Sequence, residues 1–261
     1  MFAAALALSL AACDGGNNDT QGSPKVTATA PSGQASGTLT PSEGATPSAT
    51  TPGGRVSDEA VAFQTDDGVT VRGHVYSSPG PQRRAVILAH MFPNDQRAWQ
   101  AFARELAGIG IAALTFDFRG YGETGGSKDV TKIDHDLSAA LLFMKARDYP
   151  LIYLVGASMG GTAALKVAAS QDVAGVVTVS APVTFMGLSA QADVPRITER
   201  KLFLASRNEA EGGAQAAQQL MQLAPEPKDS FVFEGSAHGT ALLEGPNAAA
   251  FKDKLIEFMQ R

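Results

Sequence analysis

A serine between two glycines lies where an apolar run gives way to a helical pattern. Residues 156–160 read Gly-Ala-Ser-Met-Gly, fit G-x-S-x-G, and stand between LIYLV and MGGTAALKVAAS. This strand–turn–helix setting pushes a serine hydroxyl out of the sheet on a sharp turn, and the helix N-terminus points at it. Such a hydroxyl suits nucleophilic attack on a carbonyl group. The pattern predicts that Ser158 is a nucleophile.

A serine hydroxyl is a weak nucleophile until a neighbouring base takes its proton. His238 stands in Gly-Ser-Ala-His-Gly, directly after the apolar run SFVFEG. If the apolar runs form a parallel sheet, their carboxyl ends share one edge, and His238 then faces Ser158. The other histidines suit other roles: His74 at the surface of a strand, His135 in capping a helix, and His90 in holding a loop.

A third group should orient the imidazole and stabilise its charged form. The chain order that accompanies this motif is serine, acid, histidine. Glu209 follows the apolar run KLFLAS and is predicted to be that acid. Glu211, two residues further on, could take its place, and Asp193 is a weaker alternative.

Acyl transfer also needs two amides that stabilise the negatively charged oxygen of the intermediate. The position after the nucleophile predicts the amide of Met159 as one donor. The loop that closes the first parallel strand predicts the amide of Met91 as the other. Both assignments rest on loop position alone.

The elements that must position these residues alternate along the chain. Two antiparallel strands are predicted to turn at Asp66-Asp67-Gly68. Short apolar runs then alternate with helical patterns, which favours an α/β architecture: an eight-stranded, mostly parallel sheet with helices on both faces. Residues 182–200 carry no long helical pattern and are predicted to form a minimal cap. The predicted strands cover 85–90, 112–118, 151–158, 175–181, 201–206 and 230–235, and the predicted helices 96–108, 131–147, 159–170, 212–223 and 246–260.

Together these residues resemble the α/β-hydrolase family from about residue 61 to the C-terminus. Residues 88–126 are similar to the family's stretch from oxyanion loop to fourth strand, DFRGYG (117–122) to its D-x-R-G-x-G turn, and SAHGTAL (236–242) to its histidine loop. Two departures stand out: His90-Met91 where His-Gly is common, and Glu209 where aspartate is usual. The resemblance implies hydrolysis of esters, amides or thioesters without a metal or organic cofactor.

The N-terminal segment predicts export and lipid anchoring. Residues 2–12 read FAAALALSLAA, which is too short to span a bilayer and matches the apolar core of a signal peptide. Leu-Ala-Ala-Cys, ending at Cys13, resembles the bacterial lipobox, which implies a lipid on that cysteine. The predicted organisation is a signal peptide (1–12), a lipid-anchored flexible linker (13–55) rich in Gly, Ser, Thr and Pro, and a catalytic domain (56–261) outside the cell membrane.

Composition narrows the function further. The net charge of -5, without any basic stripe, disfavours nucleic acid as a partner. One cysteine excludes a disulfide within the chain. A small or medium carboxylic ester is the expected substrate, a monomer is favoured, and the membrane is reached through Cys13. A non-catalytic binding or sensor lipoprotein with the same fold is the alternative.

Overall fold

The computed structural model describes residues 55–261. The predicted signal peptide, Cys13 and the linker up to residue 54 lie outside the described residues. In the part of the chain that is described, no helix is both long and apolar enough to cross a bilayer.

The described residues form strands and helices that alternate as the apolar runs predict. The strands are β1 (Ser57–Gln64), β2 (Thr70–Ser77), β3 (Arg84–Ala89), β4 (Ile111–Phe116), β5 (Leu151–Ala157), β6 (Gly175–Val179), β7 (Thr184–Phe185), β8 (Leu188–Ser189), β9 (Lys201–Ser206) and β10 (Lys228–Phe233). The helices are α1 (Arg97–Gly108), α2 (Ile133–Lys145), α3 (Met159–Ala168), α4 (Gly213–Leu223) and α5 (Ala248–Gln260).

Eight of the strands form one sheet in the order β1-β2-β4-β3-β5-β6-β9-β10. Strand β2 runs antiparallel to both β1 and β4, whereas all later pairs in this sheet are parallel. The predicted eight-stranded, mostly parallel sheet is therefore confirmed. Because the parallel strands share a direction, the loops that follow β3, β5, β6, β9 and β10 leave from the same edge.

Both faces of the sheet are covered, because alternate residues of a strand point to opposite sides. In β3, Ala85 and Ile87 join the core beneath α2, α3 and α4, and Val86 and Leu88 join the core beneath α1 and α5. Burying one such aliphatic side chain contributes about 1.5–3 kcal/mol. These two cores fix the strands, and the strands in turn fix the loops at the edge.

The turn after β4 is held by a buried guanidinium. Arg119 donates to Asp136 on α2, which is fully buried, and to Asp67 in the β1–β2 turn, at 2.7–2.9 Å. The guanidinium holds the pKa of the Asp67 carboxyl well below its usual range. The D-x-R-G-x-G turn therefore ties β4, α2 and the first hairpin together.

The structure corrects the role predicted for His135 and adds detail to the predicted cap. His135 does not cap its helix; its Nδ1 lies 2.7 Å from Asp66 Oδ1 in the β1–β2 turn, a contact between segments distant in sequence. The 182–200 insertion contains a small hairpin, β7–β8, whose turn residues Met186 and Gly187 both have positive φ. Its two-residue strands are too short to show periodicity in the sequence.

Candidate active site

Ser158 occupies a strained turn between β5 and α3. Its backbone angles are φ 48° and ψ -118°, a region that costs a residue with a side chain of order 1–3 kcal/mol. The turn is held on both sides: the Ser158 amide donates to Val179 O at 2.8 Å, and Ser158 O accepts from Thr162 N at 3.1 Å. The surrounding structure thus keeps the serine at the start of α3.

Two glycines allow this turn to pack tightly. A Cβ on Gly156 would collide with the carbonyl of Gly160, and a Cβ on Gly160 would lie 2.5 Å from His90 O and 2.7 Å from Ala89 O. The motif glycines therefore let the first turn of α3 lie against the end of β3. This contact brings the turn that contains Ser158 beside the loop that contains Met91.

Glu209 and His238 form a close pair. Glu209 follows β9, His238 follows β10, and Glu209 Oε2 lies 2.5 Å from His238 Nδ1. The Glu209 side chain is fully buried, and that of His238 is largely buried. The hydrogen bond that His238 donates to Glu209 raises the pKa of His238, and burial opposes this effect. This pairing leaves Nε2 as the ring nitrogen available to another group.

Neither of the two alternative acids contacts the His238 ring as closely as Glu209 does. Glu211 Oε2 is 3.6 Å from His238 Nδ1, and its side chain is 58% exposed, so it contacts the ring less closely than Glu209. Asp193 belongs to the insertion and pairs instead with Lys166 on α3 and with Arg196. Of the three carboxylates, Glu209 has the geometry that orients the imidazole.

Two serine hydroxyls that the sequence analysis did not select support this pair. Ser180, after β6, donates to Glu209 Oε1 at 3.0 Å and accepts from Gly239 N at 3.0 Å. Ser206, at the end of β9, donates from its amide to Glu209 Oε1 at 2.7 Å and from its hydroxyl to Ala237 O at 2.6 Å. Because both serines stand at the ends of apolar runs, the sequence could place them at the edge of the sheet that carries the site. It could not show that they turn toward Glu209.

Ser158 and His238 line one cavity. The cavity has a volume of about 140 Å³, and its other lining residues are Ser180, Pro182, Thr184, Phe185, Glu211 and Ala216. No hydrogen bond joins Ser158 Oγ to His238 within residues 55–261. Catalytic hydrogen bonds are often long in unliganded enzymes and shorten in the substrate complex. The structure therefore brings the two side chains to one cavity without a direct hydrogen bond between them.

The amides of Met91 and Met159 are free to act as donors. Neither amide nitrogen has an acceptor within residues 55–261. Met159 begins α3, where the first amides of a helix lack intrahelical partners. The Met91 side chain packs on the histidine loop, with Sδ 3.4 Å from Thr240 N. The predicted donors, the amides of Met91 and Met159, thus belong to segments that meet beside the turn that contains Ser158.

His90 is a fully buried residue that holds the loop after β3. Its Nε2 accepts from Phe118 N at 3.1 Å, so the proton lies on Nδ1, which is 3.0 Å from Met91 O and donates to it. Burial lowers the pKa of this imidazole. With both nitrogens engaged, the His90 ring fixes the loop that contains Met91 and has no nitrogen left for another partner.

The same carboxylates could in principle bind a cation. Ligand atoms of Glu209, Glu211 and His238 lie within 4.8 Å of one another. The 2.5 Å contact between Glu209 and His238 is, however, a direct hydrogen bond with no space for an ion between the two atoms. A cation at this cluster would have to displace that hydrogen bond.

Known structures share this architecture. Pyrococcus furiosus esterase Pf2001 superposes with a TM-score of 0.67 at 18% identity, covering 79% of this chain and 91% of that one. The alpha/beta hydrolase GrgF from Penicillium sp. sh18 gives a TM-score of 0.68 at 17% identity, covering 78% and 98% of the two chains. The chain has the α/β-hydrolase fold. An alpha-beta serine hydrolase homologue from Coxiella burnetii shares this fold at a TM-score of 0.64 and 21% identity, covering 76% of this chain and 96% of that one.

Sequence comparison gives two further similarities. Residues 80–208 match the family described as "Serine aminopeptidase, S33". The matched segment includes Met91, Ser158 and Met159 and ends one residue before Glu209. The uncharacterized protein Rv2307c of Mycobacterium tuberculosis is 28% identical over 234 residues, which cover 78% of this chain and 80% of that protein.

Proposed function

We propose that this α/β hydrolase is a serine hydrolase that cleaves a small or medium carboxylic ester. Ser158 is the nucleophile, His238 the general base and Glu209 the acid that orients it. The observation that carries the proposal is the bond between Glu209 Oε2 and His238 Nδ1 beside a cavity that Ser158 lines. The other nitrogen of the His238 ring is thereby left for the serine proton.

The proposed reaction has two steps. In the first, His238 Nε2 takes the proton of Ser158 as Oγ bonds to the substrate carbonyl carbon, and the amides of Met91 and Met159 stabilise the oxyanion. The carbon–alkoxy bond then breaks, and His238 gives its proton to the departing alcohol. In the second step, His238 takes a proton from water as the water oxygen bonds to the acyl carbon. The bond between that carbon and Ser158 Oγ then breaks, His238 returns the proton to Oγ, and the acid leaves.

An ester is the expected substrate because an alkoxide leaves more easily than an amine. The cap favours a modest size, since the insertion contributes to the cavity lining only Pro182 and the hairpin residues Thr184 and Phe185. Phe185 from this hairpin and Pro182 give the cavity an apolar wall. These features support an ester whose reacting end is compact.

Labelling of the intact protein with a fluorophosphonate tests the proposal. We expect the wild type to react at Ser158, the Ser158→Ala variant to remain unlabelled, and His238→Ala to react far more slowly. The same three proteins should rank in the same order in phenyl acetate hydrolysis. A folded wild type that neither reacts with the label nor hydrolyses esters would instead favour a non-catalytic binding or sensor protein.

We also propose that the protein is exported and held at the cell membrane by lipid on Cys13. The support is the sequence alone, an apolar segment that ends in Leu-Ala-Ala-Cys and precedes a Gly-, Ser- and Pro-rich linker. Expression of the full chain in a bacterial host fed labelled palmitate provides the test. We expect label in the wild type and none in Cys13→Ala. An unlabelled wild type in the soluble fraction would contradict the proposal.

A further inference from the structure

A larger groove opens next to the cavity of Ser158. It has a volume of about 560 Å³, within the range of about 300–1,000 Å³ that is typical of small-molecule sites. The insertion forms one wall and α4 the other. Pro182, Thr184, Glu211 and Ala216 line both the groove and the cavity, so the two spaces are continuous.

Amide side chains dominate the polar lining of this groove. Gln215, Gln219 and Gln222 lie on one face of α4 at spacings of four and three residues, and Gln191 of the insertion contributes from the other wall. All four are exposed, and no side-chain hydrogen bond within residues 55–261 engages them. Each therefore offers a free donor and a free acceptor.

The charge and shape of the groove restrict its ligand. Glu211, at the junction with the cavity, is the one charged residue in the lining, and apolar surface comes from Pro182, Val183 and Leu223. Uncharged amides match groups that both donate and accept, and hydroxyl groups do so. A sugar or cyclic polyol combines such hydroxyls with apolar C–H surface, which the proline, valine and leucine side chains can contact.

The rim of the cavity that carries Phe92 is different in character. Phe92, in the oxyanion loop, and Phe185, in the cap hairpin, have ring centroids 6.1 Å apart. The Phe92 side chain is partly exposed, as is that of Met186 in the hairpin turn. The apolar rim thus includes the loop of Met91, where the substrate carbonyl is expected. The amide-lined groove meets the cavity at Glu211, whose Oε2 lies 3.6 Å from His238 Nδ1.

We infer that the groove between the insertion and α4 binds the alcohol half of the substrate, and that this half is an uncharged, polyhydroxylated group such as a sugar. The inference rests on the proposed hydrolase activity, in which His238 protonates the departing alcohol. That alcohol must therefore leave next to His238, where the groove begins. Gln215 and Gln219 are then specificity-determining residues.

Two acetate esters with the same ring size test this inference. Methyl 6-O-acetylglucopyranoside and cyclohexylmethyl acetate both carry an acetylated primary alcohol on a six-membered ring, but only the first carries hydroxyls. We compare kcat/KM for both in the wild type and in Gln215→Leu/Gln219→Leu. The matched control is Gln218→Leu, which changes an exposed glutamine of the same helix outside the groove. Phenyl acetate is measured with every protein.

We expect the wild type to prefer the sugar ester. The double variant should lose about tenfold or more in kcat/KM for that ester, as expected for two neutral hydrogen bonds, and keep its rate on cyclohexylmethyl acetate and phenyl acetate. Gln218→Leu should match the wild type. An unchanged preference in the double variant, or an equal change in Gln218→Leu, overturns the inference while phenyl acetate turnover upholds the hydrolase. Loss of phenyl acetate turnover in the wild type itself overturns both.

Discussion

Ser180 Oγ donates a hydrogen bond to Glu209 Oε1 across 3.0 Å, and Ser180 Oγ also accepts one from the amide of Gly239. One hydroxyl thus connects the loop of the proposed acid with the loop of the proposed base. Glu209 keeps its other oxygen for His238 Nδ1. Ser180, which follows β6, therefore helps to set the distance between the Glu209 carboxylate and the His238 imidazole.

Replacing Ser180 with alanine should weaken turnover more than substrate binding. Without the hydroxyl, Glu209 loses a donor and the buried Gly239 amide loses its acceptor, so the histidine loop can shift. We expect kcat on phenyl acetate to fall about tenfold with little change in KM, since small displacements of a catalytic group are costly. Ser230→Ala, an exposed change on β10, should leave both constants unchanged. A Ser180→Ala enzyme with the kcat of the wild type would show that Ser180 does not position the pair.

The pH profile should distinguish Glu209 from Glu211. Only neutral His238 can accept the serine proton, and the bond to Glu209 raises the pKa of His238. In the wild type, kcat/KM should therefore fall as the pH drops through a value above that of an ordinary histidine. Glu209→Gln should lower kcat by roughly 10²–10⁴-fold and move this acid limb to lower pH.

Glu211→Gln is the matched control, because Glu211 is exposed and lies farther from the ring. We expect its kcat/KM to stay within about threefold of the wild type, as for most exposed charges. If Glu211→Gln lowered kcat/KM more than Glu209→Gln, the acid that orients His238 would be Glu211.

Gly160 and Gly108 provide a test of the close contact at the nucleophile turn. A Cβ at position 160 would lie 2.5 Å from His90 O, whereas a Cβ at position 108, at the end of α1, would meet nothing within 4 Å. We expect Gly160→Ala to cost about 1–3 kcal/mol of stability, the usual range for overpacking, and to slow fluorophosphonate labelling. Gly108→Ala should be neutral or stabilise by up to about 1 kcal/mol. Equal behaviour of the two variants in urea unfolding would refute this account of the motif glycine.

Arg119 should be important for stability. Arg119→Met leaves the carboxylate of Asp136 buried and without its partner, which typically costs about 3–5 kcal/mol. Urea unfolding should show a lower midpoint with an unchanged slope. Arg97→Met is the control, because the Arg97 side chain is 79% exposed and solvent screens its pair with Asp95, so the unfolding midpoint should change far less.

The same residue predicts a pH effect on stability. Arg119 lowers the pKa of Asp67 in the folded state, so this pair stabilises the protein above the unfolded pKa of the carboxyl and ceases to do so as the pH falls. The loss of stability on acidification should therefore be smaller in Arg119→Met than in the wild type. An identical acid dependence would mean that the pair contributes little.

The sequence by itself determined the order and type of the main elements. The six apolar runs become the strands β3, β4, β5, β6, β9 and β10, because strands buried on both faces need continuous apolar residues. The helix predicted over 159–170 is observed as α3, Met159–Ala168. The residues Ser158, Glu209 and His238 could be selected because each follows a strand whose carboxyl end must share an edge with the others.

Only the tertiary structure decided which groups actually meet. A strand pattern places Glu209 and Glu211 at the same edge, but it does not show which carboxylate turns inward; the packing around Ser180 and Ser206 does. The partner of His135, Asp66, is 69 residues away in sequence, so no local pattern could reveal it. The β7–β8 hairpin and the amide-lined groove beside it depend in the same way on contacts between distant segments, whose side-chain directions follow from packing and not from sequence spacing.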